Sequence, residues 1–173
     1  MADTDYAGVV YDLDGTLVDL AVDWDTVAVD SRAVFTDHGY EGATDLWTML
    51  DRADELGLRA ELERVIGDHE QSGARTSTLA PRAGDLPLSV PTGVCSLNCE
   101  AACRIALQTH DLADAVDAVV GRDSVTARKP DPEPLLETLD RLGVPPEESL
   151  FVGDSQRDAV TAERAGTAFE FVE

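Results

Sequence analysis

Apolar and polar positions alternate in blocks along the second half of the chain. Short apolar runs at 92–96, 115–120, 149–153 and 168–172 read as strands, each bounded by polar or turn residues. Between them, 98–109, 133–142 and 155–165 repeat their apolar positions at three- and four-residue spacing and read as helices. Another strand is expected at 8–13, where an apolar run ends in acids before Gly15. Strands that alternate with helices join by right-handed crossovers, so the pattern predicts an α/β fold with a parallel sheet covered on both faces. Ligands then sit at the carboxyl ends of the strands.

The stretch from 21 to 71 breaks this alternation. It is helical and polar, with segments at 26–37, 43–55 and 58–69 separated by Gly42 and Gly57. Residues 72–91 contain Gly73, Pro81, Gly84, Pro87 and Pro91 and read as a return linker holding at most a short turn of helix. The expected organisation is therefore a core of 1–20 and 80–173, with 21–79 inserted as a small helical unit plus linker.

Composition narrows the function. The 173 residues carry 35 Asp and Glu against 13 Lys and Arg, a net charge of −22. Nucleic acid and anionic membranes are disfavoured as partners, because both require a basic surface that displaces counterions. With 43% hydrophobic residues the chain nonetheless has material for a core. Such acidity repels itself unless salt screens it, and it resembles the composition of proteins from the cytosol of extreme halophiles. No apolar stretch is long enough to span a membrane, and the acidic start lacks the basic flank of a signal peptide, so a cytoplasmic protein is expected. Cys95, Cys99 and Cys103, four apart, fall on one helical face and read as small core residues, not as a disulfide or metal site.

Three strand ends bear groups with chemical potential. In Asp12-Leu13-Asp14-Gly15-Thr16, two carboxylates two residues apart can share a divalent cation, Gly15 permits a sharp turn, and Thr16 offers a hydroxyl or amide to an anion. A tight turn or calcium loop uses the same residue types, and only the preceding apolar strand lifts the signal. Ser96 ends the strand at 92–96. Gly153-Asp154-Ser155-Gln156-Arg157-Asp158 ends the strand at 149–153 and opens a helix, so Asp154 would face the same crevice as Asp12 while Asp158, one turn on, could brace a metal shell; a plain helix start explains these residues equally well. Lys129, in Arg128-Lys129-Pro130, is the sole lysine beside twelve arginines. A retained lysine suggests a task for a compact point charge that a guanidinium does not fill.

Taken in order, Asp12-Leu13-Asp14-Gly15-Thr16, Ser96, Lys129-Pro130 and Gly153-Asp154-Ser155 with Asp158 resemble the four motifs of the haloacid dehalogenase superfamily. The resemblance covers the core, a Rossmann-like parallel sheet, and the insertion looks like the helical cap of that superfamily. It implies phosphate monoester hydrolysis, with a substrate of phosphoglycolate or sugar-phosphate type and Mg2+ as cofactor. Asp12 would be the nucleophile and Asp14 the acid and base. Asp12, Asp14, Asp154 and Asp158 would make up the metal site, and Gly15, Thr16, Ser96 and Lys129 would receive the phosphoryl group. A small phosphorylated metabolite is the expected partner, and the protein is expected to be a monomer or homodimer. A phosphomutase is the enzymatic alternative, and a phospho-Asp signalling domain or a non-catalytic binding protein are more distant ones. Leu97 separates Ser96 from Asn98, which either reaches the site from one position later or, as the preferred reading, caps the following helix. In the insertion, Trp24, Trp47, Arg52, Arg59, Arg64, His69 and Arg75 are available to line a pocket, but the preferred reading places the aromatic residues in its core and the arginines in solvent.

Overall fold

The structure, a computed structural model, describes residues 5–41 and 45–172. Strand β1 (Gly8–Tyr11) leads into a two-residue strand β2 (Val18–Asp19). Three helices follow, α1 (Trp24–Asp37), α2 (Leu46–Leu56) and α3 (Arg59–Arg75), and the chain returns through β3 (Thr78–Leu79). The remainder alternates: β4 (Thr92–Cys95), α4 (Glu100–Thr109), β5 (Ala118–Val120), α5 (Glu133–Leu142), β6 (Ser149–Gly153), α6 (Gln156–Ala165) and β7 (Ala168–Phe171). Gly42, expected to separate two helices, lies outside the described residues.

The five longer strands form one parallel sheet in the order β5-β4-β1-β6-β7, with Val9 opposite Thr92 on one side and Leu150 on the other. Burial on both faces accounts for strands that read as continuous apolar runs. Val9, Tyr11, Val94 and Val152 pack with Ala102, Cys103 and Ala106 of α4. Their neighbours Val10, Cys95 and Phe151 point the other way, onto Leu135 and Leu139 of α5 and Ala162 of α6, as the two-residue strand period requires. The expected α/β architecture is the one observed.

Helices α1 to α3 enclose a core of their own around Val27, Phe35, Met49, Leu50, Leu62 and Ile66. Asp23 and Asp45 cap α1 and α2 with their side chains, and Gly57 ends α2 in the left-handed conformation. Helix α3 runs six residues past the expected 69, taking in residues assigned to the linker. Its last turn is held by the Ala21 N–H on the Gly73 carbonyl and by the buried Ala74, and it packs on α4. The chains entering and leaving the helical segment pair antiparallel, Val18 with Leu79 and Asp19 with Thr78. The rest of the return segment contains the expected short turn, a 3-10 helix at Pro81–Asp85.

Candidate active site

Beyond β1 the inside-outside alternation continues for three residues. Leu13 is fully buried, whereas Asp12 and Asp14 on either side of it line a cleft of about 230 Å³ between the sheet's carboxyl edge and the helical insertion. The chain turns at Gly15, whose φ of +78° is left-handed; a Cβ there would lie 2.2 Å from Asp154 Oδ2. Only a glycine lets the two strand ends approach this closely. The Asp14 Oδ1 accepts the Leu20 N–H at 2.8 Å, and burial nevertheless pushes its carboxyl above the usual range.

Lys129 reaches into the same cleft and is itself buried. Its Nζ donates to Asp12 Oδ1 at 3.0 Å, to the Cys95 carbonyl at 3.1 Å and to Asp158 Oδ1 at 2.6 Å. Burial works against the ammonium, yet Asp12 and Asp158 outweigh it and hold Lys129 charged, above the usual lysine range. Burial also pushes the Asp12 carboxyl up to about 6, with Lys129 pulling the other way.

Asp158 is fixed from both sides. Its second oxygen accepts the Ser155 hydroxyl at 2.7 Å and the Ser155 N–H at 3.2 Å, while Ser155 Oγ accepts the Asp158 N–H, a reciprocal cap that starts α6. Gly153 makes room for it, since a Cβ there would meet Asp158 Oδ2 at 2.6 Å. Asp154, by contrast, is exposed on the cleft wall, its carboxyl raised by burial and by Asp158.

Oxygens of Asp12, Asp154 and Asp158 lie within 4.8 Å of one another. A set made wholly of carboxylates suits a hard divalent cation such as magnesium. Asp12 and Asp154 fit the role of ligands, but Asp158 already serves Lys129 and Ser155 and fits that of a brace. Asp14 belongs to the cleft but not, through its side chain, to this cluster.

Of the residues expected to hold a phosphoryl group, Lys129 lines the cleft, whereas Thr16 and Ser96 do not. The Thr16 N–H is spent on the Leu13 carbonyl, and its hydroxyl is buried without a partner among the described residues. Ser96 is buried too, and its Oγ accepts both the backbone N–H and the side-chain amide of Asn98. That arrangement corrects the expectation for Asn98: it lines the cleft and does not cap α4. The reason is tertiary, because the free N–H groups at the start of α4 are taken by distant carboxylates, Cys99 N–H by Glu70 and Glu100 N–H by Asp123.

The helical insertion supplies the opposite wall. Trp24 of α1, Trp47 of α2 and Glu70 of α3 all line the cleft; Trp24 is exposed and not in the insertion's core as expected, whereas Trp47 lines the cleft while packing against that core. Neither Glu70 nor its partner Arg122 was expected at the site. Arg122 follows β5, is 2% exposed, and donates to Glu70 at 2.6 Å, to Glu63 at 2.8 Å and to the Leu97 carbonyl at 2.8 Å. It ties α3 to the core behind the cleft. The three cysteines are free and buried, as expected of small core residues, and burial pushes Cys95 up to about 11 and Cys99 up to about 12. No described helix is long and apolar enough to cross a membrane.

The chain is similar in sequence and fold to known proteins. A family model described as haloacid dehalogenase-like hydrolase matches residues 88–172. A phosphoglycolate phosphatase of Rhodospirillum rubrum is 35% identical over 91% of this chain and 76% of its own length. A phosphoglycolate phosphatase of Escherichia coli is 30% identical over 94% and 79%. Among solved structures, a HAD-superfamily hydrolase from Geobacter sulfurreducens superposes with a TM-score of 0.63 at 26% identity, covering 95% of this chain and 88% of that one. CbbY from Rhodobacter sphaeroides in complex with phosphate superposes at 0.70 with 17% identity, over 96% and 85%, a likeness of fold alone. With its strand-end carboxylates and lysine in the order of that family's motifs, the chain belongs to the haloacid dehalogenase-like hydrolases and, within them, resembles the phosphoglycolate phosphatases.

Proposed function

We propose that this enzyme hydrolyses a small phosphate monoester of the phosphoglycolate type through an aspartyl-phosphate, with magnesium as cofactor. The observation that carries the reading is Lys129 Nζ held between Asp12 and Asp158 at the end of the sheet. The placement keeps a nucleophilic carboxylate beside a fixed positive charge, where a dianionic phosphoryl group would otherwise be repelled.

Asp12 attacks phosphorus, and the bond to the ester oxygen breaks as the new Asp12 O–P bond forms. Asp14 gives its proton to the departing alkoxide. Its Oδ1 is engaged by the Leu20 N–H, which leaves Oδ2 to carry that proton, and its raised pKa suits an acid. Asp14 then takes a proton from the water that attacks the phosphoryl group, releasing inorganic phosphate and free Asp12. Lys129 neutralises the transferring oxygens throughout. Asp12 and Asp154, with the Asp14 carbonyl, are the groups that would hold magnesium. Bound there, the ion supplies Lewis-acid charge to the phosphoryl oxygens. The helical insertion, the unit expected at 21–79, acts as a cap over the leaving group.

A panel of phosphate esters, assayed in molar KCl with and without magnesium, tests the reading. Phosphate release that requires magnesium and falls at least about 10⁴-fold in Asp12→Asn is expected. Equal release by that variant, or none from any ester by the unaltered enzyme, would sink it.

A further inference from the structure

Two clefts meet at the site. The one containing Asp12 shares Trp47, Lys129 and Arg157 with a second, of about 460 Å³, that runs outward between α2 and the segment around Arg128. Its three cations are not equivalent. Lys129 is committed to Asp12 and Asp158. Arg128 pairs with Asp51. Arg157, in the first turn of α6 beside Asp158, has no side-chain hydrogen bond or ion pair among the described residues; its guanidinium touches the Trp47 ring, at 5.0 Å from the centroid.

In the inner cleft Glu70 is taken by Arg122, Asp158 by Lys129 and Ser155, and Asp14 by the Leu20 N–H. Asp154 faces Asp12 and Asp158 in the carboxylate cluster and makes no ion pair with Arg157 among the described residues. The acids of the outer cleft are engaged as well. Asp51 is taken by Arg128, Asp54 by Arg59 at 2.8 Å, and Asp131 by the Glu133 N–H at 2.9 Å. Where 35 acids face 13 bases, an unpaired guanidinium on a cleft wall marks a place prepared for a negative charge from outside the chain. The Trp47 ring lies 5.0 Å from the Arg157 guanidinium carbon and 5.9 Å from that of Arg128. Arg128 is paired with Asp51, whereas the N–H groups of Arg157 remain unspent among the described residues, which suits a planar carboxylate fork to fork. One uncommitted unit charge matches a carboxylate better than a second phosphate, whose double charge would lack a partner.

We infer that Arg157 selects the leaving group by binding a carboxylate on the alcohol side of the ester, with Trp47 of the cap holding its guanidinium in place. The inference rests on the phosphatase reading and deepens it by assigning to Arg157 the discrimination between esters that carry a carboxylate and esters of neutral alcohols. It makes Arg157 a specificity residue of the catalytic core, and Trp47 its positioning residue.

The test compares 2-phosphoglycolate with ethyl phosphate, a near match in size that lacks the carboxylate, in molar KCl with magnesium. The readout is the ratio of kcat/KM for the acid over the neutral ester. In the unaltered enzyme this ratio should exceed about tenfold, and Arg157→Gln should reduce it about 10- to 100-fold, mostly through KM. Arg157→Lys should restore part of the ratio, because it returns the charge without the fork, and Trp47→Leu should lower it less than Arg157→Gln does. An unchanged ratio in Arg157→Gln, or hydrolysis of both esters without preference by the unaltered enzyme, overturns the inference and leaves the phosphatase reading standing. Release of phosphate from neither ester overturns both.

Discussion

Two buried clusters in this molecule have the same composition, one base between two acids. Lys129 lies between Asp12 and Asp158, and Arg122 between Glu63 and Glu70. Each carries a formal charge of −1, and both bases are at most 5% exposed. What separates them is how the base spends its donors. The Arg122 fork reaches all four oxygens of its two glutamates, and Cys99 N–H and Arg59 add to them. The Lys129 ammonium is a point, and it meets one oxygen each of Asp12 and Asp158. Saturation makes the arginine cluster a strut between α3 and the core. Both oxygens of Asp158 are engaged, but Lys129 takes only Oδ1 of Asp12, next to a cleft, which in the proposed mechanism keeps Asp12 available to react. A buried ion cluster is thus informative about chemistry only when its acids have unspent oxygens facing a space that a ligand can enter.

Replacing each base breaks the comparison most sharply. Lys129→Met should lower phosphate release about 10³- to 10⁵-fold, the scale for losing a cation that neutralises a transferring phosphoryl group. Turnover within tenfold of the unaltered enzyme would remove Lys129 from the proposed mechanism. Arg122→Met should leave the buried Glu70 without a counter-ion and Glu63 with Arg59 alone, at a cost of about 3–5 kcal/mol, or a Tm lower by roughly 10 °C. Melting followed by circular dichroism reads this directly. Carrying the change through to Arg122→Met with Glu63→Leu and Glu70→Leu should return the stability to within about 2 kcal/mol of the original, since an apolar replacement of a whole buried triad is often neutral. If the triple variant melts as low as the single one, the cluster is more than a strut. Asp51→Asn, which removes the exposed partner of Arg128, should lower stability by less than about 1 kcal/mol in the same melts. Smallest per charge are the surface acids. Taken together they predict that Tm rises as KCl goes from about 0.1 M to molar concentrations, where the screening length falls from about 10 Å to about 3 Å. A flat or falling midpoint would refute a salt-adapted surface.

The same contrast explains what could be read from sequence. Lys129 stood out because one lysine among arginines is visible as composition, and Asp12 and Asp154 because each follows an apolar strand. Arg122 gave no such sign. It sits in a polar loop like any solvated arginine, and its partners lie 59 and 52 residues away in the chain. The one available clue was Glu63 and Glu70, seven apart and so on one face of α3, with apolar Ile66 between them. Asn98 was misread for a related reason: local rules assign caps to nearby side chains, and here the caps of α4 come from α3 and from the loop after β5. The tryptophans followed the usual preference for a core, but α1 and α2 turn them toward the cleft. The parallel sheet followed from alternation because burial on both faces leaves strands little else to be, whereas the strand order came from the structure alone.

The two-rung pairing of β2 with β3 bears on how such a molecule can change over generations. Because Val18 meets Leu79 and Asp19 meets Thr78, everything between them enters and leaves through one doorway whose posts are already fastened to each other. Lengthening a closed loop costs only about 0.6 kcal/mol per doubling. A lineage can therefore exchange the room behind that doorway, and with it the range of esters admitted, without moving a strand of the sheet that performs the chemistry.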